Sequence, residues 1–185
     1  MSPDGFIGEI TEVRPMASTK SQDAIAMLKE DHRKVEDLFE KFEKAKGDDR
    51  KQKLALEICK ELTIHTILEE EIFYPAIEGK VEEDLLKESF VEHDAAKVLI
   101  AEIEAGEPSD EFYDSKVKVL SEEIEHHVEE EEKAKDGLFA QTRKADVDLD
   151  ALAEQMTKRK EQLLAEIEAK GLPAPETTTL EEVSL

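Results

Sequence analysis

His65 and Glu69 stand four residues apart in HTILEEEIFYP, and His127 and Glu131 repeat that spacing in HHVEEEE. On a helix, residues four apart share a face, one turn above each other. An imidazole and a carboxylate placed this way can hold a divalent cation together or exchange a proton. Both pairs lie in phase with apolar residues: Ile58 and Leu62 precede His65, and Leu120 and Ile124 precede His127. Each polar pair therefore rides on the stripe that faces the core. Together with Glu70 and Glu132, all five matched positions are offset by 62 residues.

Two more histidines extend the repeat. His32 follows Glu30 and Asp31, and His93 follows Val91 and Glu92, 61 positions further on. The chain reads as a duplicated helical hairpin, each copy with one lone histidine and one His-x-x-x-Glu pair. In an antiparallel bundle with pseudo-two-fold symmetry, His32, His65, His93 and His127 converge on one interior level, joined by Glu69 and Glu131. Four imidazoles and two carboxylates suit a di-metal site, with nitrogen from one hairpin on each metal and carboxylates bridging. Iron, manganese and zinc all accept such mixed ligands.

A hydrogen-bonded core histidine is the simpler reading for His65 or His127 alone; repetition in phase favours ligands. His126 points away from the apolar stripe and has no histidine counterpart in the first copy, which assigns it to the surface or to a supporting role. Glu61 and Glu123, one turn before His65 and His127, either support an imidazole or face solvent. Glu36 is a candidate extra ligand, and Lys97 either lines the site or reaches solvent. Glu70, Glu71 and Glu132 read as solvated and Cys59 as a small packing residue; Tyr74, five residues after Glu69, lies either near the site or, as the better reading, in core or rim packing.

The elements that must position these groups are helical. Gly is sparse, Trp is absent, and no run of β-branched residues alternates as a strand would. Ile25, Leu28, Val35, Leu38, Phe39 and Phe42 mark a first helix from Ser21 or Gln22 to Lys46, with Gly47 as its stop. A second starts near Asp48 or Asp49 and runs until Pro75 interrupts it. A third covers about 82 to 105, and a fourth, capped by Ser109 or Asp110, runs to about Lys135. Short links between helices of similar length predict an all-α, antiparallel up-down-up-down four-helix bundle. A fifth helix, Leu149 to Lys170, carries Leu149, Leu152, Met156, Leu163 and Ile167 on one face and should pack on the bundle or on a partner subunit. The expected organisation is a flexible lead-in over 1–20, the bundle over 21–140, the additional helix within 141–171, and a disordered tail over 172–185.

The ordered set EDH (30–32), HTILEEEIFYP (65–75), VEHD (91–94) and HHVEEEE (126–132) resembles the hemerythrin-like, HHE cation-binding domains. That resemblance implies a non-haem di-iron centre with two bridging carboxylates, held by His32, His65, Glu69, His93, His127 and Glu131. It also implies chemistry with dioxygen, peroxide or nitric oxide, in oxygen carriage, sensing or stress defence. Two departures weigh against reversible oxygen carriage. Lys97 stands where the carriers resemble one another in a further histidine, and Glu131 replaces their bridging aspartate. A metal-binding sensor without turnover is the alternative, and whether the chain is an enzyme stays open.

Composition bounds the partners. A net charge of −23 opposes nucleic acid and anionic membrane surfaces, which need clustered Lys and Arg, and favours small cations. A single cysteine excludes an internal disulfide and a thiolate-rich cluster. No segment approaches a membrane span, and MSPDGFIGEI lacks the layout of a signal peptide, so a cytoplasmic location is expected. The expected partners are small molecules, with a homo-oligomer through the C-terminal helix as a further possibility.

Overall fold

The computed structural model describes residues 22–180. The lead-in expected over 1–20 and the last five residues of the tail lie outside the described residues. Helices α1 (Ala24–Lys44), α2 (Asp48–Leu68), α4 (Glu83–Ala105) and α5 (Tyr113–Glu132) form the bundle. Contacts run α1 to α2, α2 to α4, α4 to α5 and α5 back to α1, which closes a ring of four. No strand occurs among the described residues. The all-α bundle expected from the sequence is the fold observed.

Local chemistry sets the ends. The Asp23 carboxylate accepts from the Ala26 N–H at 2.9 Å and caps α1. Gly47 sits at φ +87°, which an L side chain adopts only with strain, and it opens α2 directly after the turn from α1. Neither Ser109 nor Asp110 caps α5. Asp110 instead accepts from the Glu107 N–H, closing a turn, and the helix begins three residues later at Tyr113.

The second helix does not stop at Pro75. It widens into a π-turn over Glu69–Phe73, then resumes as the single turn α3 (Tyr74–Ile77). A proline ring clashes with the carbonyl four residues back, and a wider turn relieves that clash. The Tyr74 N–H donates to the Glu69 carbonyl, five residues back, which confirms the wider register.

The core divides into two apolar clusters. One gathers Ile25, Leu28, Leu68, Phe73 and Ile77 with residues of the C-terminal helices. The other gathers Val35, Leu38, Ile58, Leu62, Ile100, Val117 and Leu120. His32 lies between Leu28 and Val35 in the chain, so the buried polar residues form a layer between the clusters. Cys59 is buried in the second cluster, as its packing role requires.

Two further helices close the first cluster. α7 (Leu149–Lys170) buries Leu152, Ala153, Met156 and Leu163. It packs on α1, on α2 and on the π-turn of its own chain. The short α6 (Leu138–Thr142) buries Leu138 and Phe139 and was not foreseen. Gly137 makes its entry possible: a Cβ there would lie 2.6 Å from the Lys133 nitrogen and 2.7 Å from the Glu130 carbonyl oxygen. Gly137→Ala is expected to push α6 outward and to destabilise the protein by about 1–3 kcal/mol. Thermal unfolding with the metal-free chain checks this, and an unchanged melting temperature would contradict the close approach.

Candidate metal centre

All six residues expected to meet do meet. His32, His65, His93, His127, Glu69 and Glu131 are buried, with relative exposures of 0–5%. The Nε2 atoms of His32 and His65, both from the first hairpin, lie 3.2 Å apart; those of His93 and His127, from the second, lie 3.3 Å apart. The two carboxylates span the pairs. Glu69 Oε2 is 3.1 Å from His65 Nε2, 3.2 Å from His93 Nε2 and 4.0 Å from His127 Nε2. Glu131 Oε2 is 3.5 Å from His32 Nε2 and 3.6 Å from His127 Nε2.

Three of the four rings are aimed by carboxylates on their outer side. His32 Nδ1 meets Glu132 at 2.9 Å, His93 Nδ1 meets Glu70 at 3.0 Å, and His127 Nδ1 meets Glu92 at 2.8 Å. An Nδ1–H donated outward leaves the Nε2 lone pair facing inward, the tautomer a metal ligand needs. Glu70 and Glu132 are therefore not simply solvated, as their sequence context suggested. Both obey the 62-residue offset, but each supports a histidine of the opposite hairpin, a relation spacing within one helix does not reveal. Glu92 precedes His93 in the chain yet holds His127, a cross-helix relation that its sequence position does not announce. Glu61 pairs with Lys34 at 2.8 Å, and neither Glu61 nor Glu123 makes a hydrogen bond to a histidine ring.

Tyr74 is central, not peripheral. Its Oη lies 3.2 Å from Glu69 Oε2, 3.2 Å from Glu131 Oε1 and 3.3 Å from His93 Nε2. Five residues after Glu69, it would miss that face of a regular α-helix; the π-turn brings it round. Its ring also stacks on His93 with centroids 5.4 Å apart, as Phe139 stacks on His32 at 5.8 Å. Lys97 neither joins the cluster nor reaches freely into solvent. It binds Glu70 at 2.9 Å, Asp94 at 3.2 Å and the Glu176 carbonyl at 2.9 Å. Glu36 pairs with Arg33 at 3.2 Å and stands apart from the cluster. Residues 171–180 carry no helix or strand. The Thr178, Thr179 and Leu180 amides and the Thr179 hydroxyl all donate to the Asp94 carboxylate, the neighbour of His93.

The charges within the layer are strained by burial. Burial drives Glu131 well above the usual carboxylate range, and the Glu69 charge adds to that. Burial opposes ionisation of Glu69 too, but His65 and His93 outweigh it and hold Glu69 well below that range. Burial raises Tyr74 well above an ordinary phenol, and Glu131 and Glu69 push in the same direction. His32 is lowered to about 4 by burial, against the opposing pull of Glu132. Glu69 Oε1, Glu131 Oε2 and His65 Nδ1 are buried with no hydrogen-bond partner. Orphaned carboxylate oxygens beside paired inward-facing imidazole nitrogens are costly in a dry interior, and cations that accept N and O ligands would satisfy both. The residues fit a metal pair.

Such a centre inside an antiparallel helical bundle defines a cation-binding helical protein. The chain belongs to the hemerythrin HHE cation-binding domain family, whose pattern matches residues 23–135. It is similar to a hemerythrin HHE cation binding domain-containing protein from Mycobacterium kansasii, known from its crystal structure. The TM-score is 0.67 and the identity 26%, over 81% of this chain and 94% of that one. It is also 31% identical over 140 residues to a DNA nickase of Nostoc sp. (strain PCC 7120 / SAG 25.82 / UTEX 2576). That alignment covers 75% of this chain and 38% of the nickase, so the chain spans well under half the length of that relative.

A pH dependence follows for the metal-free protein. His32 titrates near 4 when folded and near 6.5 when unfolded. Between those values the unfolded chain binds more protons, so the stability His32 permits at neutral pH is lost as pH falls from 6.5 towards 4. In His32→Gln the slope of stability against pH over that window should fall by up to about one proton. Melting in chelator across the window measures it, and an unchanged slope would refute the assignment.

Proposed function

We propose that the chain is a cytoplasmic non-haem di-iron protein that binds or reacts with dioxygen, peroxide or nitric oxide. Manganese or zinc would fit the same donors. The observation that carries this reading is the layer itself, two imidazole pairs bridged by two carboxylates and sealed between apolar clusters. His32 and His65 would hold one ion, His93 and His127 the other, and Glu69 and Glu131 would span both. Bound iron would supply redox chemistry and open coordination positions for a diatomic or peroxide ligand.

The chain's own residues supply orientation, protons and dryness. Glu132, Glu70 and Glu92 hold the Nδ1 protons and so fix three rings. Tyr74, kept protonated by its surroundings, is the one hydroxyl donor at the centre among the described residues and can hydrogen-bond an incoming oxygen or nitrogen atom. Phe73 and Phe139 keep water from the His32 side. A cavity of about 480 Å3 between α2, α4, α7 and the closing segment has Glu70 and Lys97 in its wall, offering an approach on the His93 side. With a net charge of −23, a DNA backbone is a poor partner, and small molecules are the proposed ones.

A second reading, a metal sensor without turnover, draws on the closing segment. Its amides converge on Asp94 beside His93, so a change at His93 has a short path to the surface. Peroxide consumption separates the readings, since a sensor needs binding alone.

Anaerobic loading with ferrous iron, followed by air, tests the centre. About two irons per chain and new near-ultraviolet absorption are expected. That absorption should weaken in His127→Ala and persist in His126→Ala. No iron uptake, or equal behaviour of the two variants, would remove the di-iron reading.

A further inference from the structure

The pseudo-two-fold repeat exposes an asymmetry outside the central layer. Of the three outer carboxylates that hold a histidine Nδ1, two carry a basic side chain. Glu132, on His32, binds Lys29 at 2.9 Å and also pairs with Arg33. Glu70, on His93, binds Lys97. Asp31, the residue before His32, binds Lys160 of α7 at 2.6 Å. Asp31 and Glu92 are counterparts at the 61-residue offset, each just before a lone histidine. No helix covers Glu92 as α7 covers Asp31, and among the described residues no lysine or arginine pairs with it.

What faces Glu92 instead has the chemistry of a ligand set. Its Oε2 is taken by His127 Nδ1 at 2.8 Å, while Oε1 turns outward to His126 Nε2 at 3.5 Å. Glu88, one turn earlier on α4, completes a group whose ligand atoms all lie within 4.8 Å of one another. The counterpart of His126 in the first copy is Ile64, buried in the core, so the exposed imidazole is particular to the second copy. Nearby Glu123 has an oxygen buried without a partner, and its carboxyl is raised by burial and by the Glu92 charge. The face carries surplus negative charge where its symmetry mate holds an ammonium.

We propose that Glu88, Glu92 and His126 form an outer site for a divalent transition cation such as Zn2+, bound through one imidazole nitrogen and two carboxylates. The remaining positions are open to water, as an exposed site allows. The cation takes the place that Lys160 fills beside Asp31. Glu92 then joins this cation to His127 through a single carboxylate. The outer site does not depend on the central layer holding metal.

The test uses the full-length chain, stripped with chelator and dialysed against buffered free Zn2+, with bound zinc counted for the parent, His126→Ala and Glu88→Gln. Both variants change exposed side chains, and equal melting temperatures in chelator would show that their folds are intact. The parent should hold about one more zinc per chain than either variant, whatever the count in the central layer. The His126 ring proton resonances should shift during the titration in the parent and stay in place in Glu88→Gln. Equal zinc counts in all three proteins, or His126 resonances that do not move, would overturn the proposal and leave His126 simply as a neighbour of Glu92. If zinc enters only the outer site, the central assignment fails while this one stands.

Discussion

Four imidazoles and two carboxylates buried in one layer are the constraint on which the rest of the structure depends. Removing such groups from water costs several kcal/mol apiece unless each finds partners. The bundle meets that cost by pairing groups across hairpins: His32 with Glu132, His93 with Glu70. Neither hairpin can satisfy its own lone histidine. The duplication is thus a mutual dependence, and the two halves must assemble for either to be complete.

The layer also parts the hydrophobic core. The cluster around Leu28 and Phe73 and the cluster around Leu38 and Leu120 make separate contacts on either side of it. Helices run through both, but side-chain packing does not bridge the histidines. A metal pair would join the clusters at their seam, so folding and metal uptake should be linked, with protons displaced as cations enter.

The sequence made the histidines legible because their signal is local. The 62-residue offset and the shared phase with Ile58, Leu62, Leu120 and Ile124 needed no distance across the bundle. Helix α7 was legible for the same reason, down to its ends at Leu149 and Lys170. Tyr74 was not, because its place depends on a π-turn, and a period of 3.6 residues points it elsewhere. Pro75 signalled a disturbance there but not its form. Glu92 and Phe139 were hidden for another reason: each acts on a histidine of a different helix, and the place of Glu92 beside His93 does not announce that it holds His127.

The path of the closing segment brings the last described residues to α4. Its last described residues wrap the Asp94 carboxylate with three amides and a hydroxyl. Residue 180 is thereby fixed on the flank of α4, at the neighbour of His93. A domain or tag tethered at residue 180 would be held near the histidine layer at high effective concentration, limited by its linker. Tension on that tether would be borne first by hydrogen bonds to Asp94. A fusion at this end is therefore a mechanical handle on the His93 side of the centre, which a fusion placed on the turn between α1 and α2 would not be.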